Sequence, residues 1–459
     1  MKIVSEYEES KYNEIVYTLF RDIDDIVTII DKSKKDKIIL EFSTDNKFFE
    51  FSSHVLFDMQ KQKQAMSKSG LLLLYNKNIE WGALVGMRPT KLVYKFLEQG
   101  KNFSEIRKIL TDIYLVSASK IDLLIEIVKN SMDYIDKKTV GVYIGIAFCP
   151  TKCTYCSFPA YLKQGKYAKI YDEYIKTLIT EIKEVALVLK EKQVKINTMY
   201  IGGGTPSFLS YDELELLLKT INDNFDLTNI KEYTFEAGRI DTLDEIKLKM
   251  LREYKVDRIS INPQSFKEKT LKLVNRYHNI DKLNEIYTIS KSLGFIINMD
   301  YILSLPKENT QDILETIEKM KDYDAHNITI HNLALKKASY LNKSKYELDE
   351  NIDFELVYKK IYEFMNEYDY IPYYMYKQKN SFGENIGFCK KTYQSIYNID
   401  MIEENKNIFG IGAGSITKLI DKDDIKRIVM PKDPISYVLE FKDRIEKKKE
   451  IIKLFYGKK

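Results

Sequence analysis

Three of the four cysteines in the 459-residue chain fall in one short stretch, as Cys149, Cys153 and Cys156. This Cys-x3-Cys-x2-Cys spacing lets a single loop present three sulfurs to one centre, and thiolates bind soft metals and iron–sulfur clusters. A four-iron cluster held by three sulfurs keeps one iron open for another ligand. We therefore predict an iron–sulfur cluster with one open iron at this loop.

A structural zinc site is the competing interpretation of the same cysteines. Such a site normally takes four nitrogen or sulfur ligands. No fourth ligand follows nearby in the sequence, and His54 and His278 are far away. Cys389 could complete a zinc site through space, although an ordinary buried thiol explains it equally simply.

Composition and charge exclude several classes of protein. Lys and Arg number 72 against 68 Asp and Glu, so the net charge is only +4, and nucleic-acid binding is not expected. No apolar run approaches the ~18 residues that a membrane helix requires. The start of the chain does not resemble a signal peptide, and clustered cysteines do not make a disulfide framework. We expect a cytoplasmic protein without a membrane span.

Three domains are expected. Residues 1–135 are predicted to form an N-terminal α+β accessory domain, with a strand at Lys37–Phe42 and helices at Thr90–Glu98 and Ser119–Tyr134. The only tryptophan, Trp81, precedes an Arg-Pro pair; it is interpreted as the buried anchor of a turn or as part of a docking surface. Residues 136–345 are expected to form the core domain, and residues 346–459 a C-terminal α+β extension.

The core region alternates short apolar runs with amphipathic helices, which is typical of parallel strands joined by crossover helices. The predicted strands are Val142–Ala147, Thr198–Ile201, Glu232–Phe235, Arg258–Ile261, Phe295–Met299 and Asn327–Ile330. The predicted helices between them are Tyr167–Leu189, Tyr211–Asn222, Leu243–Glu253, Ile280–Leu293 and Thr310–Met320. The fold class is therefore α/β, with a partial (β/α)6 TIM-like barrel or an open doubly wound sheet as its core.

Polar residues and glycines follow immediately after each predicted strand. These segments are the cysteine loop, Gly202–Pro206, Glu236–Arg239, Asn262–Ser265, Asp300 and His331. Because functional sites of such barrels lie at the carboxyl ends of the strands, we predict one site built at that mouth.

The individual residues at this mouth indicate a small-molecule site. Gly202–Gly203–Gly204–Thr205–Pro206 matches neither the Rossmann nor the Walker pattern. Consecutive glycines let a ligand approach the backbone closely, although a tight turn would explain them equally well. Four side chains could together hold a zwitterion and a ribose, or could be salt bridges of the barrel rim: Glu236, Gln264, Arg276 and Asp300. His278 and His331 are interpreted as structural or supporting residues.

On these motifs the chain resembles the radical S-adenosylmethionine (SAM) superfamily, and within it the oxygen-independent coproporphyrinogen III oxidase-like family. Besides the Cys-x3-Cys-x2-Cys motif, the segments that carry the likeness are Tyr143–Cys149, Ile201–Ser207, Arg258–Phe266, Asn275–His278 and Met299–Pro306. The stretches 81–90, 236–239 and 411–415 resemble the subgroup named coproporphyrinogen dehydrogenase HemZ.

The resemblance implies cofactors and residue roles. Cys149, Cys153 and Cys156 would bind a [4Fe–4S] cluster whose open iron takes the amine and carboxylate of SAM. The implied SAM contacts are Tyr143, Tyr155, Gly203, Gly204, Thr205, Glu236, Gln264, Arg276 and Asp300. The core domain would then be a radical SAM partial barrel.

The resemblance also implies an activity. A 5′-deoxyadenosyl radical would abstract hydrogen from a propionate side chain of coproporphyrinogen III, and loss of CO2 would leave the vinyl groups of protoporphyrinogen IX, in anaerobic haem biosynthesis. A reductase with flavodoxin, or a ferredoxin, would donate electrons.

One departure from the family pattern concerns the substrate. The oxidases carry a further cysteine at the position of Phe158. Relatives that act as haem chaperones or as haem-degrading methyltransferases share the same core, so haem binding and methyl transfer to haem are the alternative functions.

Overall fold

The computed structural model describes residues 1–336, 339–344, 346, 352–378, 383–421 and 424–457. The chain divides into two compact units, Met1–Lys129 and Asn130–Lys459. The domain boundary expected at residue 345, and the last residue of the expected C-terminal extension, lie outside the described residues. Within the described ranges, no helix combines the length and the apolar character needed to cross a membrane.

The first unit packs helices against a small sheet in the order β1-β2-β3-β4. Its strands are β1 (Lys2–Val4), β2 (Ile26–Asp31), β3 (Lys37–Ser43) and β4 (Phe48–His54). Its helices are α1 (Asn13–Leu19), α2 (Met59–Leu74), α3 (Thr90–Glu98), α4 (Phe103–Asp112) and α5, which runs on past the unit boundary (Ala118–Ser131).

Alternate side chains of β3 form the buried face of this sheet, and a helix covers that face. Ile38, Leu40 and Phe42 of β3 are all fully buried, as the period of a half-buried strand predicts. Helix α2 lies on this face, and Gly70 packs so closely on Phe42 that an added Cβ would come within 2.0 Å of the ring. Trp81 is only 8% exposed, so the prediction of a buried tryptophan at a turn is confirmed.

The second unit contains a single large mixed sheet. Its strands are β5 (Val140–Ile146), β6 (Ile196–Gly203), β7 (Glu232–Phe235), β8 (Arg258–Ser260), β9 (Ile296–Leu303), β10 (Asn327–Asn332), β11 (Tyr370–Lys377), β12 (Glu384–Lys390), β13 (Ile408–Ile411), β14 (Ile416–Asp421) and β15 (Asp424–Val429). Its helices are α6 (Gly165–Glu191), α7 (Tyr211–Asn224), α8 (Glu245–Glu253), α9 (Glu268–Leu273), α10 (Ile280–Ser292), α11 (Thr310–Lys319), α12 (Tyr340–Lys343), α13 (Phe354–Glu367), α14 (Ile396–Glu403), α15 (Pro434–Leu439) and α16 (Phe441–Gly457).

The core of this sheet consists of six parallel strands, β5 to β10, which pair in chain order. The predicted α/β class and the alternation of strands with crossover helices are confirmed, with boundaries shifted by a few residues. The pattern was readable because these strands are buried on both faces and therefore appear as continuous apolar runs, as in β5. Ser210 and Asn309 begin α7 and α11 with capping boxes.

The segment after β10 extends the same sheet at both of its edges. Strands β12 and β11 add antiparallel beyond β10. The chain then crosses to the opposite edge, where β13 pairs parallel to β5 and is followed by β14 and β15. The sheet order is β11-β12-β10-β9-β8-β7-β6-β5-β13-β14-β15, so the core is a partial barrel rather than a closed one among the described residues.

Helix α14 lies within this crossing connection. Its Tyr397 ring stacks on Tyr200 of β6 at 4.3 Å and lies 6.3 Å from Tyr143 of β5, measured between ring centroids. Glu232, the first residue of β7, accepts the backbone N–H groups of Ile396 and Tyr397. The helix is therefore fixed across the amino ends of the strands, opposite the mouth where the cysteine loop emerges.

Candidate active site

The cysteine loop leaves the carboxyl end of β5 and is held from several sides. Cys149 N–H donates to Tyr161 O at 2.9 Å within the loop. The turn after α9 contributes Asn275, whose side chain donates to Lys152 O at 3.0 Å and whose carbonyl accepts from Thr151 Oγ1 at 3.1 Å. These contacts fix a loop that has little regular structure of its own.

The loop cysteines are shielded from solvent, although less completely than core residues. Burial raises the pKa of the Cys149 thiol to about 12 and also raises the pKa of Cys156. A buried thiol of this kind is inert until a metal centre takes its proton, because thiolates are the ligands. The pKa pattern therefore fits cysteines that ionise only on binding a cluster.

Cys389 does not join these three sulfurs. It lies on β12 and is fully buried in an apolar cluster with Tyr373, Tyr374 and Ile399. The interpretation of Cys389 as an ordinary buried thiol is confirmed. In the described part of the chain, no three His, Cys, Asp or Glu side chains converge as ligands of a single metal ion.

One cavity of about 460 Å³ unites the predicted mouth residues. The predicted residues that line it are Cys149, Cys153, Tyr155, Cys156, Gly203, Gly204, Thr205, Glu236, Gln264, Arg276 and Asp300. Tyr143 lies beneath the lining and reaches it through its contact with Tyr200, which does line the cavity. Residues spread from position 149 to position 300 thus meet because consecutive parallel strands end at one edge.

The glycines after β6 permit close packing against the cysteine loop. Gly204 N–H donates to Ile146 O at 2.6 Å, and Thr205 N–H donates to Phe148 O at 2.9 Å. A Cβ on Gly204 would lie 2.7 Å from Phe148 O and 3.0 Å from Cys149 Sγ. Gly203 has φ of +105°, a conformation that glycine adopts without strain.

Replacing Gly204 with alanine is expected to push the cysteine loop out of place. The added Cβ meets the Phe148 carbonyl oxygen and the Cys149 sulfur, neither of which can move freely, and such overpacking costs about 1–3 kcal/mol. Iron per chain after anaerobic reconstitution, together with urea unfolding, measures the effect. Gly86→Ala is the matched control, since nothing lies within 4 Å of a Cβ there. Normal iron content in the Gly204 variant would contradict this explanation.

Two carboxylates face the cavity in different electrostatic states. Burial, reinforced by the charge of Asp300, raises the pKa of Glu236 to about 7, although the Gly203 N–H bonds its Oε2 at 3.3 Å. Burial also opposes ionisation of Asp300, but the nearby imidazole of His331 and a hydrogen bond from Asn298 at 2.8 Å outweigh it and hold the pKa of Asp300 below its usual range. Near neutral pH these two carboxylates therefore contribute one firm negative charge, on Asp300, and one that changes with pH, on Glu236.

Arg276 and Gln264 present unused hydrogen-bonding groups. Arg276 is 5% exposed; its Nη2 donates to Asn262 O at 2.8 Å and also to Gly238 O, and Nη1 donates to Tyr155 OH at 3.4 Å. The Nε of Arg276 has no hydrogen-bond partner within the described structure. The same is true of Oε1 of Gln264, a residue that is only 7% exposed. Since buried polar atoms are normally paired, these atoms indicate space for a polar ligand.

The cavity continues beyond Asp300 to a second wall. His331 Nε2 lies 3.8 Å from Asp300 Oδ2, and its Nδ1 lies 3.1 Å from Tyr376 OH on β11. Gln378 and Asn385 line the same side. His278, by contrast, is buried outside the cavity lining, where burial and Arg276 lower its pKa to about 4, so its interpretation as a structural residue is confirmed.

Comparison with known proteins agrees with this geometry. A sequence model of the radical SAM superfamily matches residues 143–320, which include the cysteine loop and most of the cavity lining. The chain is 38% identical over 392 residues to the oxygen-independent coproporphyrinogen-III oxidase-like protein HemZ of Bacillus subtilis, covering 83% of this chain and 78% of that protein. This chain belongs to the oxygen-independent coproporphyrinogen III oxidase-like family of radical SAM proteins.

Other relatives of this radical SAM protein carry a different description. It is 30% identical over 287 residues to the heme chaperone HemW of Lactococcus lactis, covering 61% of this chain and 69% of that one. Its fold resembles the coproporphyrinogen III oxidase HemN of Escherichia coli, with a TM-score of 0.55 over 67% of this chain and 70% of HemN, at 18% identity. That likeness shows the fold alone.

The cofactors of this radical SAM protein are a [4Fe–4S] cluster and SAM. The residues present fit both. Three loop sulfurs face the cavity without a fourth cysteine in the lining, so as ligands they would leave one iron of the cluster for SAM. Two carboxylates, a buried guanidinium and an unpaired amide oxygen match the ammonium, carboxylate and hydroxyl groups of SAM.

SAM binding is expected to depend on the protonation of Glu236. With a pKa of about 7 in the free protein, the side chain is largely neutral at pH 6 and charged at pH 8. If its carboxylate accepts a hydrogen bond from the amino group of SAM, affinity should rise with pH and fall by up to about tenfold per unit below pH 7. Anaerobic equilibrium dialysis of the cluster-loaded protein between pH 6 and 8 measures this dependence.

Glu236→Gln removes the titrating group and serves as the comparison for this pH profile. Its affinity should be weak and should show only the residual slope that comes from SAM itself. Asp300 is ionised throughout the range because its pKa is low, and it cannot produce the slope. An identical slope in the wild type and in the Gln variant would show that Glu236 does not bind the amino group of SAM.

Two buried charged residues that sequence reasoning did not single out hold the start of α14 beside the cavity. Glu232 and Arg258, the first residues of β7 and β8, are 3% and 4% exposed. Arg258 donates to the carbonyls of Tyr393 and Gln394 just before α14, and Glu232 accepts from the helix start. The sequence signal that could have found them is a charged residue at the first position of an otherwise apolar strand.

Proposed function

We propose that this chain is a radical SAM oxidoreductase of anaerobic haem biosynthesis that converts coproporphyrinogen III to protoporphyrinogen IX. The observation that carries the proposal is the cavity, which continues past the predicted SAM contacts to a second polar wall. Together with 38% identity to the HemZ protein over most of both chains, this space supports a tetrapyrrole substrate beside SAM.

The chain's own residues would bind and orient the reactants. Glu236 would accept an N–H of the SAM amino group, Arg276 would hold the SAM carboxylate, and Asp300 would accept from its ribose hydroxyls. His331 lies between Asp300 and Tyr376. Its imidazole would therefore link the carboxylate that binds the ribose to the polar wall that faces the tetrapyrrole. When bound, the cluster and SAM supply a 5′-deoxyadenosyl radical through one-electron cleavage of SAM.

Each conversion at a propionate would remove one hydrogen atom, one CO2 and one electron, leaving a vinyl group. The hydrogen atom goes to 5′-deoxyadenosine, and the electron must pass to an acceptor. A low-potential donor such as a flavodoxin with its reductase, or a ferredoxin, would supply the electron that cleaves SAM. Enclosure of the site by α14 and the cysteine loop would limit access of water and oxygen.

The test is an anaerobic assay with coproporphyrinogen III, SAM and a reductant, followed by mass spectrometry. We expect a product that has lost two carboxyl groups and gained two vinyl groups, with 5′-deoxyadenosine formed in step. The Cys156→Ala variant is the control for background chemistry. Cleavage of SAM without any decarboxylated tetrapyrrole would reject this substrate.

Haem binding is a second candidate, favoured by the similarity to the heme chaperone HemW. Titration with haem, followed by its absorbance, distinguishes the two functions. Tight haem binding without vinyl product would select trafficking, whereas turnover of coproporphyrinogen III with weak haem binding would select synthesis.

A further inference from the structure

The cysteine ligands receive hydrogen bonds from side chains of different charge. Thr205 Oγ1, a neutral hydroxyl, donates to Cys149 Sγ at 3.2 Å. Arg239 Nη1, part of a guanidinium, donates to Cys153 Sγ at 3.4 Å. Cys153 is therefore the ligand that a fixed positive charge touches directly.

Arg239 is held so that it cannot turn away from the sulfur. Asp241 accepts two parallel hydrogen bonds from it, from Nε to Oδ1 at 2.9 Å and from Nη2 to Oδ2 at 2.7 Å. Its Nη1 also donates to Asn275 O at 3.3 Å, in the turn that holds the cysteine loop. Arg239 is 4% exposed, so water does not compete for the guanidinium.

The physical consequence concerns electron transfer to the cluster. Reduction adds one negative charge to the cluster and its thiolates. A buried cation in contact with one of those thiolates stabilises the added charge, because Coulomb interactions are weakly screened away from water. Hydrogen bonds and charges next to ligand sulfurs are among the groups that set cluster potentials.

We propose that Arg239, oriented by Asp241, is a positioning residue that raises the reduction potential of the cluster through its contact with Cys153. Its carboxylate partner moderates this effect. The inference concerns the first electron-transfer step and applies whichever tetrapyrrole the protein takes.

The experiment is a redox titration of the reconstituted protein, without SAM, followed by the electron paramagnetic resonance signal of the reduced cluster. For Arg239→Met we expect the ratio of reduced to oxidised cluster at a fixed potential to fall by about tenfold, equivalent to a 59 mV lower midpoint for one electron. Arg239→Lys keeps the charge, and we expect its ratio to stay within about threefold of the wild type.

Two further variants separate charge from structure. Asp241→Asn retains oxygen and size but removes the opposing charge, so the ratio should rise or stay unchanged. Lys152→Met removes an exposed cation from the same loop, and screening should keep its effect within about twofold.

A wild-type potential in Arg239→Met would overturn the proposal. So would equal decreases in the Met and Lys variants, or a decrease in Asp241→Asn, because these results would indicate a structural role without a charge effect. If Arg239→Met fails to take up iron, the other two variants still test the proposal. A charge effect predicts a near wild-type ratio in Arg239→Lys and an unchanged or raised ratio in Asp241→Asn, whereas a purely structural role predicts a decrease in both.

Discussion

Replacing any one of Cys149, Cys153 and Cys156 with alanine is expected to remove the cluster and, with it, all cleavage of SAM. Each side chain is one of three sulfurs at a single loop, and two ligands cannot hold a four-iron cluster firmly. Iron should fall from about four per chain to fewer than about one after anaerobic reconstitution. Iron analysis, the visible absorbance of the cluster and 5′-deoxyadenosine formation measure the loss.

The fourth cysteine provides the matched control for these variants. Cys389 lies in an apolar cluster on β12 and outside the cavity lining. Cys389→Ala should lower stability somewhat, through loss of buried volume, while keeping iron and SAM cleavage close to wild type. Loss of iron in this variant, or its retention in a loop variant, would mean that the ligand set is assigned wrongly.

Replacing Lys448 with methionine is expected to cost about 3–5 kcal/mol of unfolding free energy, because it leaves the charge of Glu181 buried and unpaired. Lys448 Nζ lies 2.8 Å from Glu181 Oε1, and both side chains are fully buried. Glu181 Oε2 also accepts from Tyr437 OH at 2.6 Å and from the N–H of Gly412 at 2.9 Å. The pair thus joins α6, α15 and α16 to the turn after β13.

The neighbouring Lys449 offers the control for this ion pair. It lies on the same helix and pairs with Glu184 at 2.7 Å, but both side chains are partly exposed, at 19% and 34%. Lys449→Met should therefore change stability by less than about 1 kcal/mol.

Urea unfolding followed by far-ultraviolet circular dichroism compares the two lysine variants. The double variant Glu181→Gln/Lys448→Met should recover much of the loss, since the amide keeps acceptors for Gly412 and Tyr437 without a buried charge. A Lys448→Met protein as stable as the wild type would refute the importance of the pair.

The core of the fold was predictable because its signals are local. Strands β5 to β10 are short apolar runs separated by amphipathic helices, and this alternation admits few topologies. The mouth residues were predictable for a related reason, since carboxyl ends of parallel strands meet. Eleven of the predicted cofactor residues line one cavity, although they span from position 149 to position 300.

The residues that sequence reasoning missed act across long separations. Glu232 belongs to a strand but caps α14, and Arg258 likewise binds the carbonyls before that helix. In the sequence, Glu181 is one more charge on an amphipathic helix, yet in the structure it is fully buried against Lys448. No local pattern distinguishes such residues from exposed charges.

By itself, the sequence determined the cluster loop, the parallel core and the family, because each depends on spacing within short segments or on the period of buried strands. Only the tertiary structure decided how the rest is assembled. It placed strands from the C-terminal segment at both edges of the core sheet, put α14 beneath the site and set Arg239 against Cys153. These arrangements depend on contacts between distant segments, whose partners are chosen by burial and charge pairing in three dimensions.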